Sequence, residues 1–528
     1  MRKFLLACSS GLLFALGWPT YGIPLLLFFA FVPLLVMEHE IRRSDTKRKK
    51  LKIFGLAYTA FFIWNLITTS WLIYASIFGA SFAIFVNSAL MALAFLIYHL
   101  AAKRSSINRG LLFLIVLWIS FEKLHLGWEF SWPWLNLGNG FSEVITWIQW
   151  YEFTGTFGGT LWVLLVNSFV YKSVLAYQSS PSRQLIKKKS IVLVLMIFIP
   201  IGVSLVQYAT YEHEGDDLNV LILQPNIDPY EEKYALENLD IINLFNDMIS
   251  SEITDSTDLI VAPETVFAQN VPLKTFETSL LLNEIKKLRG NNLKTDLLTG
   301  VSFIDVFQNP QFIKSQTNQY NANTWYDDYN SAVLLNKSDS VQYYHKSKLV
   351  VGVENFPYQS VLKPILGDAM IDLGGTVAMK TTQDERGVFV MSDTLFKAAP
   401  IICYESVYGE FVTGYVRNGA NFLAIVTNDA WWNETQGHKQ HLSYARLRAI
   451  EARRDIVRSA NTGISAIINS RGNVTSKLGY GEKGVLTGPL KTNTRETFYV
   501  LAGDYIARIS VFILIFVFLI TFFRKPRP

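Results

Sequence analysis

Long apolar segments lie only at the two ends of this chain, and that distribution limits what it can fold into. They fall at residues 4–16, 21–37, 53–76, 82–100, 111–121, 155–175 and 191–208, with an eighth at 505–523. Between residues 211 and 504 no run is long and apolar enough to cross a bilayer, which takes ~20 residues of helix. Half of the 528 residues are hydrophobic, yet 17% are charged, so a substantial aqueous part must accompany the apolar one. The expected division is a helical region at 1–208 with seven spans, an aqueous domain at 211–504 and a last span at 505–523. The segments at 4–16, 21–37 and 111–121 are short for a bilayer and need tilt, pairing or flanking aromatic residues.

Charge gives the orientation. Arg2-Lys3, the basic cluster at 42–52, Lys103-Arg104 with Arg109, Arg183 with Lys187-Lys188-Lys189, and Arg524-Lys525 stand at alternate ends of successive spans. The positive-inside rule puts that side in the cytoplasm. The loop at 122–154, with one lysine and several carboxylates, then lies outside, as does 211–504, while both ends of the chain lie inside. The net charge of +5 comes largely from these anchors and does not signal nucleic acid. Leu5-Leu6-Ala7-Cys8 imitates a lipoprotein cleavage box, but the apolar stretch before Cys8 is too short for a signal core.

Within the aqueous segment, short apolar runs at 220–224, 259–262, 297–303, 332–335, 388–391, 399–403, 422–427 and 464–469 read as strands. Helical patterns at 237–250, 278–288, 405–416 and 439–455 lie between several of them. This alternation predicts an α/β layered domain with buried strands. Three of its strands run into reactive residues: 259–263 into Glu264, 341–345 into Lys346, and 400–402 into Cys403. Ligands of open α/β sheets bind at such carboxyl ends. Cys403 is one of only two cysteines, and its companion Cys8 lies in an apolar helix, so an intramolecular disulfide is excluded. Each residue also has a plain structural reading: Glu264 as a helix-start acid, Lys346 as a solvated cation, Cys403 as a small buried hydrophobe.

The grouping becomes specific through motifs. Pro263-Glu264, Lys346 with Glu354 eight residues on, and Cys403-Tyr404-Glu405 resemble the Glu–Lys–Cys triad of the nitrilase superfamily. With spans on both flanks, the whole chain is similar to the bacterial apolipoprotein N-acyltransferases. Trp132-Pro133-Trp134-Leu135, Gln224-Pro225-Asn226-Ile227, Tyr329-Asn330-Ser331 and Asn428-Asp429-Ala430-Trp431 also fit. So do Gln440-His441-Leu442 through Arg446 and Arg448, and the run from Arg458 to Gly463. Where that family shows Pro-Phe-Gly, this chain has Val351-Gly352-Val353.

The resemblance implies a nitrilase-like α-β-β-α sandwich carried on an eight-helix transmembrane bundle of the bacterial inner membrane, acting as a monomer. It implies acyl transfer from a phospholipid, through a thioester on Cys403, to the amine of an apolipoprotein's diacylglyceryl-cysteine. Glu264 is then the base and Lys346 the oxyanion partner, with Glu354, Tyr404 and Glu405 supporting them. Trp132, Trp134, Leu366, Met370 and Trp431 are candidate lipid contacts, and the glycine-broken stretch at 361–378 is a candidate lid. No cofactor or metal is expected. His438 and His441 form an H-x-x-H without a completing carboxylate pattern, which reads as a surface or packing feature. Two rival functions use the same architecture: a tethered amidase with water as acceptor, and a transporter or receptor whose outer domain only binds.

Overall fold

A computed structural model of the chain describes residues 1–233, 235–290, 294–338, 340–361, 364 and 378–523. It divides into two compact units. The first comprises Met1–Ile73, Ile77–Tyr211 and Ala502–Pro528, and the second comprises Tyr74–Ser76 and Glu212–Leu501.

The first unit is helical. Helices occupy all eight expected positions, and among the described residues six segments are long and apolar enough to cross a membrane: Pro24–Arg43, Lys49–Tyr74, Ile77–Ala102, Thr156–Ser179, Arg183–Thr210 and Tyr505–Phe523. The other two fall short for physical reasons. Arg2–Leu16 has only 15 residues, and Ile107–Leu124 carries Arg109, Glu122 and Lys123 within its 18. Phe198, Ile199, Val206, Phe512 and Phe516 are each more than half exposed, an outer surface suited to lipid rather than water. The chain is a membrane protein. Glu38, which sequence patterning did not single out, is wholly buried within a span and paired with His99 at 2.6 Å and Arg42 at 3.0 Å.

The second unit is built on fourteen strands among the described residues. The first seven are β1 (Asp217–Gln224), β2 (Leu259–Val261), β3 (Phe267–Pro272), β4 (Asp296–Phe307), β5 (Asn318–Asn321), β6 (Thr324–Leu335) and β7 (Val341–His345). The others are β8 (Phe389–Val390), β9 (Lys397–Ile402), β10 (Phe422–Thr427), β11 (Ile456–Ala460), β12 (Ala466–Ile468), β13 (Val474–Lys477) and β14 (Gly484–Lys491). One sheet runs β14-β1-β2-β4-β6-β5, with β3 on β4 and β7 on β6, and the other runs β13-β12-β11-β10-β9-β8. Each has a parallel centre, β1-β2-β4 in the first and β9-β10-β11 in the second.

Burial explains the layering. Leu221, Leu223, Ile260, Leu297 and Val301 turn one sheet face toward Ile242 and Phe245 of the helix Asn238–Ile249 and Ile285 of Leu280–Lys287. The opposite face meets the second sheet. Ser459 Oγ of β11 donates to the Leu223 carbonyl of β1 at 2.9 Å, and a Cβ at Gly488 of β14 would stand 2.8 Å from Ile467 of β12. The result is the expected nitrilase-like α/β sandwich.

Two local expectations change. The helical pattern at 405–416 is a 3-10 turn, Cys403–Val407, followed by a separate helix, Gly409–Arg417, because Tyr408 between them is extended. The pattern at 439–455 ends at Ala452. Arg453 adopts a left-handed conformation (φ 50°), and Ile456 and Val457 open a strand instead.

Candidate active site

Parallel strands place their carboxyl ends side by side, and the polar residues that follow them converge. Glu264 comes three residues after β2, Lys346 directly after β7, Cys403 directly after β9 and Asn428 directly after β10. Lys346 Nζ lies 2.9 Å from Glu264 Oε1 and 2.9 Å from Glu354 Oε1. Asn330 Nδ2 bridges the same two oxygens at 2.7 and 3.0 Å, and the backbone N–H of Asn428 donates to Glu264 Oε2 at 3.0 Å. Both oxygens of Glu264 and both of Glu354 thus meet donors, Val350 N–H completing the set at Glu354 Oε2, the condition for keeping two carboxylates buried.

Electrostatics sets the resting state. Burial opposes the Lys346 charge, but the Glu264 and Glu354 carboxylates outweigh it and hold the ammonium well above the ordinary lysine value. Burial likewise opposes the Glu354 charge, and Lys346 outweighs it to bring that carboxyl below its usual range. At Cys403 the balance goes the other way. Burial pushes the thiol up and the Glu264 charge adds to this, with Lys346 and the nearby Thr427 hydroxyl pulling down. The thiol rests neutral beside a carboxylate and an ammonium.

Local backbone geometry presents that thiol. Cys403 has φ 49° and Thr265, next to Glu264, has φ 46°, conformations that side-chain-bearing residues adopt at a cost of order 1 kcal/mol or more. Gly300 on β4 makes the second turn possible, since a Cβ there would lie 2.3 Å from Thr265 N and 2.7 Å from Glu264 C. Glu405 closes the first. Its Oε2 accepts Ile402 N–H at 2.8 Å, and its Oε1 accepts Ser347 N–H at 2.7 Å and the Tyr344 hydroxyl at 2.6 Å. Glu405 therefore ties the Cys403 turn to the segment carrying Lys346. Burial lifts its carboxyl to about 7. Tyr404 is buried edge-on to Tyr408 at 5.3 Å.

The loop that departs from the family pattern still delivers its acid. Gly352 (φ 81°) turns the chain, its N–H donates to the Asn355 carbonyl at 2.8 Å, and Val350 N–H donates to Glu354 Oε2 at 2.9 Å. The remaining candidates are placed less closely. Trp132 and Trp134 belong to the helical unit, stacked at 5.6 Å, with Trp134 buried against Trp71. Trp431 packs edge-on to Tyr230 at 5.3 Å. Leu366, Met370 and the glycines at 367, 374 and 375 lie outside the described residues.

Three features escaped the sequence reading. Asn330 was legible only as part of a motif, with no hint that it bridges two acids. Lys233, within Glu231-Glu232-Lys233, resembles solvated charge but is buried, donates to Thr265 Oγ1 at 2.6 Å and is lowered by burial to about 8. Of the two roles read for the H-x-x-H, His438 and His441 take packing, but the buried charge network around them was not legible. His438 packs on Tyr480 at 4.4 Å, and His441 is wholly buried with Asp429 and Arg458, where opposite charges offset the cost of burial. Atoms of Cys403, Asp429 and His441 come within 4.8 Å of one another, a spacing open to a metal ion. Asp429 is already engaged through Oδ1 by Thr427 and His441 and through Oδ2 by Arg458, so this cluster is satisfied as hydrogen bonds.

Comparison with known proteins gives the family. The apolipoprotein N-acyltransferase N-terminal domain profile matches residues 10–169, and the carbon-nitrogen hydrolase profile matches residues 222–499. An apolipoprotein N-acyltransferase of Chlorobaculum tepidum is 28% identical over 97% of this chain and 95% of its own length. That of Geobacter metallireducens is 26% identical over 96% and 92%, and that of Rickettsia prowazekii 27% over 97% and 96%. The chain belongs to the carbon-nitrogen hydrolase family, here joined in one polypeptide to the N-terminal domain of apolipoprotein N-acyltransferases.

Proposed function

We propose that this protein transfers an acyl chain from a phospholipid to the α-amine of a diacylglyceryl-cysteine on an apolipoprotein, the last step of lipoprotein maturation. The observation that carries the reading is the union, in one chain, of a buried Glu264–Lys346–Cys403 constellation with a helical region matched by the acyltransferase profile. Cys403 Sγ attacks the ester carbonyl while Glu264 takes the thiol proton. The S–C bond forms, the C–O bond breaks, and the proton passes to the departing lysophospholipid oxygen. In the second half the acceptor amine attacks the thioester. The N–C bond forms, the S–C bond breaks, and Glu264 returns the amine's proton to sulfur. Lys346 and the Tyr404 N–H stabilise the oxyanion of each tetrahedral intermediate, where one such donor is worth about 3 kcal/mol. Departure of one product before the second substrate reacts gives ping-pong kinetics.

The distribution of basic loops supports a catalytic unit on the outer face of the inner membrane, with the segments before the first span and after the last one inside. There it meets both lipid substrates, as a monomer. The test is the mass of the Cys403 peptide after incubation with a diacyl phospholipid alone. An added acyl mass in the wild type, absent in Cys403→Ala, is expected. Turnover without that mass overturns the thioester, and free fatty acid with no amide product would favour the amidase.

A further inference from the structure

We infer that His441 is a positioning residue that aims the oxyanion donor of this site, held by Asp429 and Arg458; the inference rests on the reading of Cys403 as the acyl carrier. Arg458 lies on β11 and Asp429 follows β10, while His441 comes from the helix Gln436–Ala452. Arg458 Nη2 donates to Asp429 Oδ2 at 2.7 Å, and Nη1 donates to the Ile464 carbonyl at 2.7 Å. His441 Nδ1 lies 3.0 Å from both Asp429 Oδ1 and Arg458 Nη2. Gly463 leaves room for the carboxylate, since a Cβ there would stand 2.5 Å from Asp429 Oδ2.

The other ring nitrogen identifies the role. Nε2 is 3.2 Å from the Cys403 carbonyl oxygen and 3.0 Å from Ser406 Oγ. Ser406 spends its own proton on the same carbonyl, at 2.7 Å. The carbonyl can only accept, and Ser406 Oγ, its proton spent, can likewise only accept, so Nε2 carries a proton and shares it between these two acceptors. Nδ1 then either donates to Asp429 or accepts from Arg458, and in both cases His441 has no free lone pair for the thiol. It is not a base. What it fixes is a peptide plane. The Cys403 carbonyl and the Tyr404 N–H belong to one planar trans amide and point in opposite directions. Two donors pinning the carbonyl therefore fix the direction of the N–H that faces the oxyanion, in a turn whose φ of 49° is not self-maintaining.

The experiment compares His441→Asn with His441→Gln in the full-length protein. Asparagine can keep the Nδ1-side contact and loses the donor to Cys403, whereas glutamine reaches with an N–H where Nε2 was. Three quantities are read: the rate of Cys403 acylation by phospholipid micelles, KM, and the rate of Cys403 alkylation by iodoacetamide, which needs no oxyanion donor. In His441→Asn, acylation falls roughly 100-fold at unchanged KM while alkylation stays within about threefold; His441→Gln returns acylation to within about tenfold of wild type. Acylation and alkylation falling together, or glutamine giving no better rate than asparagine, would overturn the positioning role. Absence of acyl mass on wild-type Cys403 is a separate result that would remove the acyl-enzyme reading itself.

Discussion

Replacing Lys346 by methionine removes a cation that stands 2.9 Å from two buried carboxylates, and the consequences depend on pH in a definite way. Glu264 and Glu354 would then share little more than the Asn330 amide, at 2.7 and 3.0 Å. Two carboxylates in one site cannot both ionise cheaply, so one of them takes up a proton. Breaking a buried ion pair by removing one partner costs about 3–5 kcal/mol. For a unit of this size ~2–3 °C accompany each kcal/mol, so the melting temperature at pH 8 should fall by roughly 6–15 °C. The sign with pH follows from linkage. In the wild type the Glu354 pKa is lowered, so its contribution is present above the unfolded value and fades as pH falls. In the variant a carboxyl pKa is raised, so its contribution is present at low pH and is lost as pH rises. The gap in melting temperature should therefore shrink from pH 8 to pH 5. Tryptophan-detected unfolding of detergent-solubilised protein at several pH values measures it. A gap that is constant with pH, or one smaller than ~2 °C throughout, would refute the charge balance described for the site.

Two further substitutions test the scaffold. Gly300→Ala forces a methyl group against the backbone of Thr265 and Glu264, which cannot rotate away, so kcat/KM should drop roughly 100-fold through displacement of the base; unchanged kinetics would show that the turn yields. Glu405→Gln sets an amide N–H against a backbone donor that Glu405 now accepts, and leaving one buried donor unpaired costs about 1–3 kcal/mol. Because burial raises the Glu405 pKa to about 7, the wild type loses this residue's contribution as pH rises through 7. The stability gap to the glutamine variant should narrow from pH 5 to pH 8, opposite to the Lys346 case, and thermal melts at those pH values check it.

The difference between what sequence revealed and what it hid has a physical pattern. The central strands β9 and β10 were legible because both faces are covered, leaving continuous apolar runs that end at chemistry-bearing residues. Strands β3, β5, β13 and β14 alternate weakly or carry polar residues, so nothing in their composition separates them from loops. Glu264 and Cys403 could be grouped because each follows such a run, and Lys346 because it ends a strand of mixed composition, β7. Asp429, His441 and Arg458 could not, since their burial depends on pairing across strand ends and a helix. A charge that will be neutralised by a distant partner looks the same in sequence as one facing solvent. Lys233, whose partner is the Thr265 hydroxyl, was overlooked because its burial leaves no mark in the sequence around it.

The neutral resting thiol makes a last consequence of the site counterintuitive. A general base normally eases deprotonation of its nucleophile, yet the Glu264 carboxylate raises the Cys403 thiol pKa because both would be negative in the same buried volume. Lys346 and Thr427 act in the opposite sense. Glu264→Gln keeps the size of the side chain and removes its charge, so the equilibrium acidity of Cys403 should increase. Iodoacetamide, which consumes the thiolate, should therefore label Cys403 faster at pH 8 in the variant than in the wild type. Turnover should move the other way, falling about 10²–10⁴-fold, because no group remains to carry the proton during attack or to hand it to the leaving oxygen. Opposite signs in two measurements on one variant separate a base from a charge that merely tunes the thiol. If alkylation and turnover decline together by a similar factor, Glu264 holds the turn in place and the proton leaves by another route.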